Sequence, residues 1–178
     1  VDVPPTRGAW RADRPARLFY PATAYPHKNH PLLHRYARDF GARDDVHIVV
    51  TLDSDRADPS GTVIAVGGLD AAAMREEYRR ADALLFPSFA ESYGLPLVEA
   101  MTVGLPILAA DLPYARSLCG DTAIYFDPMS SASLDQAIAE LKQRLSVGWQ
   151  PDYTARLARV PRDWNEVAER MIALFDPA

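Results

Sequence analysis

The sequence predicts an α/β fold, a Rossmann-like parallel sheet with helices on both faces. Short, almost wholly apolar runs such as Ala83-Leu-Leu-Phe86 and Val46-His-Ile-Val-Val50 alternate with stretches whose apolar residues recur at helical spacing. Strands that are apolar throughout are buried on both sides, as in a parallel sheet covered twice. Lys28, Gly67-Gly68 and Glu91 each follow such a run. They can therefore converge outside the carboxyl ends of the strands, where sheets of this kind bind ligands.

Residues 1–15 hold three prolines, Gly8 and mixed charges without a period, and read as a linker or tail. Residues 16–178 read as one domain. Arg17-Leu-Phe-Tyr20 is a strand ended by Pro21, and a loop with Pro26, His27 and Lys28 follows. Pro31 opens a helix with Leu32, Leu33, Tyr36, Ala37 and Phe40 on one face, and Gly41 is expected to stop it. Val46–Val50 and Thr62–Val66 are strands on either side of an Asp-rich loop, residues 53–61. Asp70 can cap a helix running to about Arg80, and Ala83–Phe86 is the next strand. After it the chain breaks at Pro87-Ser88, turns at Gly94 and enters a helix with Pro96 in its first turn. Leu95, Val98 and Met101 are expected to line one side of that helix.

Pro106–Ala109 is a strand, residues 111–120 a loop with one helical turn, and Ala123–Phe126 a last short strand. Ser133 and Gln136 fit a capping box for a helix carrying Leu134, Ile138, Leu141 and Leu145. A short helix is expected between Pro151 and Arg159, and a final one from Asp163. Its apolar stripe would comprise Trp164, Val167, Ala168, Met171, Leu174 and Phe175.

Composition narrows the function. With 178 residues the chain has the length of one domain and enough mass for a substantial core. The net charge of −5, with no basic stripe, argues against a nucleic-acid partner. The single cysteine, Cys119, excludes an internal disulfide, and with no signal-peptide pattern it favours a reducing, cytoplasmic setting. No apolar run approaches the roughly 18 residues of a membrane span, so any membrane contact would be peripheral. No G-x-G-x-x-G follows a strand, which argues against a dinucleotide oxidoreductase.

The most informative stretch is Pro87-Ser-Phe-Ala-Glu91-Ser-Tyr-Gly94-Leu-Pro96-Leu-Val-Glu99-Ala-Met101. Strand, loop and helix start place free N–H groups and positive dipole together, an arrangement suited to an anion. Two carboxylates beside an anion site make sense if they accept hydrogen bonds from hydroxyls attached to that anion. Glu91 and Glu99 are separated by seven residues, within a frame of Pro-Ser, Glu-x-x-Gly-Leu-Pro, Glu-Ala-Met and Gly-x-Pro. That frame resembles the E-x7-E signature of retaining glycosyltransferases of family 4, which have the GT-B fold. The resemblance covers roughly residues 16–175.

The resemblance implies that this chain is the donor-binding half of such an enzyme, whose N-terminal acceptor domain is missing here. A nucleoside diphosphate sugar would be the donor substrate, with no cofactor and no metal. Lys28 would hold the departing diphosphate, and Glu91 the hydroxyls of the transferred sugar. Glu99 would take the ribose hydroxyls, and Gly67-Gly68-Leu69 would lie by the base. Backbone N–H groups from Tyr93 through Gly94 to Leu95 would hold phosphate oxygens, and Ser92 would also lie at the donor site. The family's Gly-Arg pair falls on Ala22 and Thr23, so Thr23 sits at the donor site without the arginine. The helix after Trp164 would cross back to the partner domain, and the full-length protein could touch a membrane peripherally.

Other readings stay open on the residues alone. Lys28 could be a solvated surface lysine, and the glutamates a loop charge and an exposed helix residue. A paired-carboxylate hydrolase would leave Lys28 and the anion site without a task. His27, His30 and His34 lack the glutamate that a zinc-protease motif needs, and Asp53-Ser54-Asp55 sits among turn residues, so neither is assigned to a metal. A non-catalytic nucleotide-sugar sensor and a sugar-nucleotide epimerase of the same fold are the remaining alternatives.

Overall fold

The computed structural model describes residues 10, 13–161 and 164–173. Among these residues six strands form one parallel sheet in the order β3-β2-β1-β4-β5-β6. They are β1 (Ala16–Tyr20), β2 (Val46–Val50), β3 (Val63–Ala65), β4 (Ala83–Phe86), β5 (Ile107–Ala110) and β6 (Ile124–Phe126). In β1, β2, β4 and β5 most residues are buried on both faces, which is why these segments read as continuous apolar runs. The helices are α1 (His30–Phe40), α2 (Ala71–Arg80), α3 (Leu95–Thr102), α4 (Pro113–Cys119), α5 (Ser131–Ser146), α6 (Thr154–Leu157) and α7 (Trp164–Ala173).

The chain leaves β1 towards β2 and later crosses back to place β4 on the other side of β1. Right-handed crossovers in opposite directions put α1 and α2 on opposite faces. α1 packs with α5, while α2 lies against β1 and α3 against β4. The strand order reverses between β1 and β4, so a crevice opens there at their carboxyl ends. Lys28 follows β1 and Glu91 follows β4.

Several local expectations are corrected. The buried side of α3 is Leu97, Ala100 and Met101; Leu95 is 62% exposed. A helix starting at Leu95 with an apolar residue at nearly every position offers more than one candidate stripe, and α4 and β4 select the one that packs. α1 does end at Phe40 with Gly41 as its C-cap, as expected, though the cap is not left-handed. The φ of Gly41 is −60° and the chain runs on through a 3-10 turn to Arg43. The glycine is needed because an added Cβ would lie 2.6 Å from Thr62 Oγ1. Residues 111–120 contain the two-turn helix α4, opened by Pro113. The cap of α5 is Ser130, which accepts from Ser133 N–H, whereas the Ser133 hydroxyl accepts from Asp127 N–H. The short helix before Arg159 is one turn, Thr154–Leu157. Arg14, within the expected tail, grips Asp82 with two hydrogen bonds of 2.7 Å. Residues 1–9, Asp163, the side chains of Trp164 and Met171, and Leu174 and Phe175 lie outside the described residues.

Candidate active site

Lys28 closes a 3-10 turn, Pro26–Lys28, between β1 and α1. The next residue, Asn29, has φ 56° and is 2% exposed. Asparagine tolerates this left-handed geometry better than most residues. Its side-chain amide donates to Pro87 O at 3.1 Å and Pro128 O at 2.9 Å, tying three loops together. Lys28 Nζ donates to Glu91 Oε1 at 2.7 Å, with the two side chains only 14% and 10% exposed. The two sequence candidates that follow β1 and β4 therefore meet in the crevice. Among the described residues, Glu91 Oε2 accepts from no group.

Hydroxyl groups that sequence reasoning missed hold this pair. Tyr20, the last residue of β1, donates its phenol to Lys28 O at 2.8 Å and contacts Ser88 Oγ at 2.9 Å. The phenol has one proton, so Ser88 is the donor in the second contact. Tyr20 and Ser88 are both fully buried. Burial pushes the ionisation of Tyr20 well above the ordinary phenol range, which keeps it a donor. Tyr114 of α4 donates to Ser88 O at 2.7 Å, and Phe89 N–H donates to His27 O at 2.7 Å. The available signals were Asn29 beside Lys28, the Pro87-Ser88 break, and a tyrosine ending a buried strand.

The start of α3 closes the other side. Gly94 has φ 83°, and an added Cβ would lie 3.2 Å from Leu97 Cδ1 and 3.3 Å from Leu118 Cδ1. Its geometry turns the chain so that Leu97 N–H returns to Gly94 O at 2.9 Å. Among the described residues no group accepts from the N–H of Ser92, Tyr93, Gly94 or Leu95, so these donors are available to an anion. Ser92 and Tyr93 are exposed, and Glu99 sits one turn into α3. Glu99 Oε2 accepts from the Tyr78 phenol at 2.6 Å. Faces of α2 and α3 border a mainly apolar groove of about 610 Å³, with Met74, Arg75 and Tyr78 opposite Leu95, Val98 and Glu99.

The remaining candidates are more scattered. Gly67-Gly68-Leu69 ends the edge strand β3 and leads into α2, three places along the sheet from β4. Gly67 has φ 77° and its N–H reaches Leu52 O at 2.8 Å, a turn only glycine makes readily. Thr23 is exposed and presents its carbonyl to His30 Nε2 at 2.9 Å. His27 stacks on Tyr25, and Asp53 and Asp55 are exposed loop residues. Among the described residues no three of His, Cys, Asp and Glu are grouped to hold a metal ion.

Known proteins resemble this chain in sequence and in fold. Residues 7–144 match the family described as glycosyl transferases group 1. The phosphatidyl-myo-inositol mannosyltransferase of Mycobacterium leprae is 30% identical over 146 residues, covering 75% of this chain and 38% of that protein. The O-antigen chain mannosyltransferase RfbU of Salmonella typhimurium is 33% identical over 66 residues, 37% of this chain and 19% of that protein. This chain thus spans less than half the length of these curated relatives. Among solved structures, TarM superposes with a TM-score of 0.71 at 16% identity, covering 99% of this chain and 38% of that one. The catalytic domain of starch synthase IV from Arabidopsis thaliana, bound to ADP and acarbose, gives 0.66 at 14% identity. It covers 96% of this chain and 39% of that one, and at such identities the likeness is one of fold.

Proposed function

The chain belongs to the glycosyl transferases of group 1, and from that premise we propose that it is the donor-binding half of a retaining glycosyltransferase. Its substrate would be a nucleoside diphosphate sugar, and the product a glycoside in polysaccharide or glycoconjugate synthesis. The bond from the anomeric carbon to the diphosphate breaks, and one from that carbon to the acceptor oxygen forms on the same face. The acceptor's proton leaves on the departing diphosphate.

The observation that carries this reading is the Lys28–Glu91 contact of 2.7 Å in the crevice between β1 and β4. A cation for a diphosphate and an acceptor for sugar hydroxyls stand side by side, next to the open N–H groups of α3. Lys28 and the start of α3 would take up charge growing on the leaving diphosphate, so the transition state gains more than the ground state. Glu91 would orient the sugar through its hydroxyls, and Glu99 the ribose. In this reading those groups replace a metal ion. The exposed side chains of Tyr25, Phe89 and Met129 would then meet the acceptor domain across the crevice. No helix among the described residues is long and apolar enough to cross a membrane. An acceptor carried on lipid, as the name of the mycobacterial relative implies for that protein, would be reached by peripheral contact.

Calorimetric titration against a panel of nucleoside diphosphate sugars, with and without EDTA, tests the reading. The expected result is saturable binding of at least one donor, unchanged by EDTA. A more than tenfold loss in EDTA, restored by magnesium or manganese, would assign the diphosphate to a metal site. No binding of any donor would overturn the reading itself.

A further inference from the structure

Tyr78 is 5% exposed, and its ring stands edge-on to Phe19 of β1 with centroids 5.1 Å apart. Strand and helix thus fix the ring, and the hydroxyl ends at Glu99 Oε2, 2.6 Å away. Burial, and then the neighbouring Glu99 carboxylate, push the phenol's ionisation well above its ordinary range, so the proton stays on Tyr78. A glutamate on an exposed helix position ordinarily samples several rotamers. Glu99 is exposed yet held by a buried donor, and among the described residues its Oε1 accepts from no group. One carboxylate oxygen is therefore anchored while the other stays open along the groove between α2 and α3.

We propose that Tyr78 is a positioning residue that makes the Glu99 carboxylate selective for a vicinal diol, the 2′ and 3′ hydroxyls of a ribonucleotide. This rests on the reading of Glu99 as the ribose-binding group. A diol offers two donors about one carboxylate apart. Oε1 and the remaining lone pair of Oε2 accept both, provided that the carboxylate plane is fixed. The phenol fixes it before the ligand arrives, so the ligand does not lose affinity to ordering that side chain. A buried phenol that merely needed some acceptor would give no such dependence on the diol.

The test is calorimetry of the whole chain with UDP, GDP and ADP and with their 2′,3′-dideoxy counterparts. The wild type should bind its best ribonucleotide at least about tenfold more tightly than the dideoxy form, the scale of a lost charge-assisted hydrogen bond. Tyr78→Phe keeps the ring against Phe19 and should weaken the ribonucleotide about tenfold, leaving the dideoxy form within about twofold. Equal weakening of both ligands, or no weakening of the ribonucleotide, would overturn the inference. Glu99→Gln supplies a second route, independent of the folding of Tyr78→Phe. It should erode the same ribo-to-dideoxy ratio, and retention of the wild-type ratio would also overturn the proposal. In the Glu99→Gln background, Tyr78→Phe should add less than about twofold, because the two residues act as one unit. If the wild type binds none of the three diphosphates and no donor of the panel, the donor-site reading fails and carries this inference down with it; a best ligand whose nucleoside lacks the vicinal diol would overturn this inference alone.

Discussion

Lys28 and Glu91 hold each other at 2.7 Å, although the proposed reaction uses them on different parts of one donor. Both side chains are largely withdrawn from water, so each is an obstacle to the other's ligand as well as its partner. In the proposed reaction a free diphosphate would have to draw Lys28 away from Glu91, whereas the full donor would offer Glu91 sugar hydroxyls in exchange. Glu91→Gln should therefore weaken the nucleoside diphosphate sugar about tenfold. It should bind the free nucleoside diphosphate about two- to fivefold more tightly, because Lys28 no longer has to leave a carboxylate; the gain stays modest because the desolvation of a buried pair offsets much of its attraction. Calorimetry on both ligands reads this directly, and parallel weakening of the two would refute the exchange. Cys119 makes a contrasting case. It is fully buried and burial pushes its thiol up to about 12, so alkylation at neutral pH should wait for unfolding. Labelling of the native chain at the rate of a free thiol would count against that burial. The two charged partners were legible because each follows a strand. Tyr20 and Ser88 were not, since they meet across 68 residues of sequence, a distance no local pattern spans.

α3 is set by its first turn. Its left-handed Gly94 and Pro96 in the first turn were visible in the sequence, and the structure has both. Gly94→Ala places a Cβ in a positive-φ residue against Leu97 and Leu118. It should cost roughly 1–2 kcal/mol of stability, and diphosphate binding should weaken beyond what partial unfolding explains. Denaturant melts together with titration of the folded fraction separate the two effects. Ser130→Ala is the matched control: loss of the α5 cap should cost about 1 kcal/mol and leave ligand affinity unchanged. The sequence placed that cap three residues late because Ser130, Ser131 and Ser133 all suit the position. Nothing in a linear pattern says which hydroxyl Asp127 N–H will claim. The sequence of α4 signals only one turn for a related reason. Its polar Arg116 and Ser117 leave little periodic signal, and it is held by Tyr114 on Ser88 and by Arg116 on Asp111.

Across the whole molecule, alternation of apolar runs and helical stripes was enough to read a parallel sheet covered on both faces. The strand order that opens the crevice follows from the reversal between β1 and β4, which no single segment encodes. The core makes the fold sensitive to alkali. Tyr20, Tyr78, Tyr153 and Cys119 are all held above their ordinary ionisation range, by burial first in each case. The unfolded chain releases these protons at about pH 9–10, so it then holds fewer protons than the folded chain. Stability should be steady below that range and fall as pH climbs through it. A denaturant midpoint unchanged between pH 8 and pH 10.5 would contradict this. In the proposed reaction the crevice between β1 and β4 receives a nucleoside diphosphate sugar by exchange of the Lys28–Glu91 pair. A crystal structure of the chain with a donor bound tests it most directly. Diphosphate oxygens are expected on Lys28 Nζ and the N–H groups at the start of α3, with Glu91 released to the sugar hydroxyls. A donor bound elsewhere, with Lys28 still on Glu91, would contradict it.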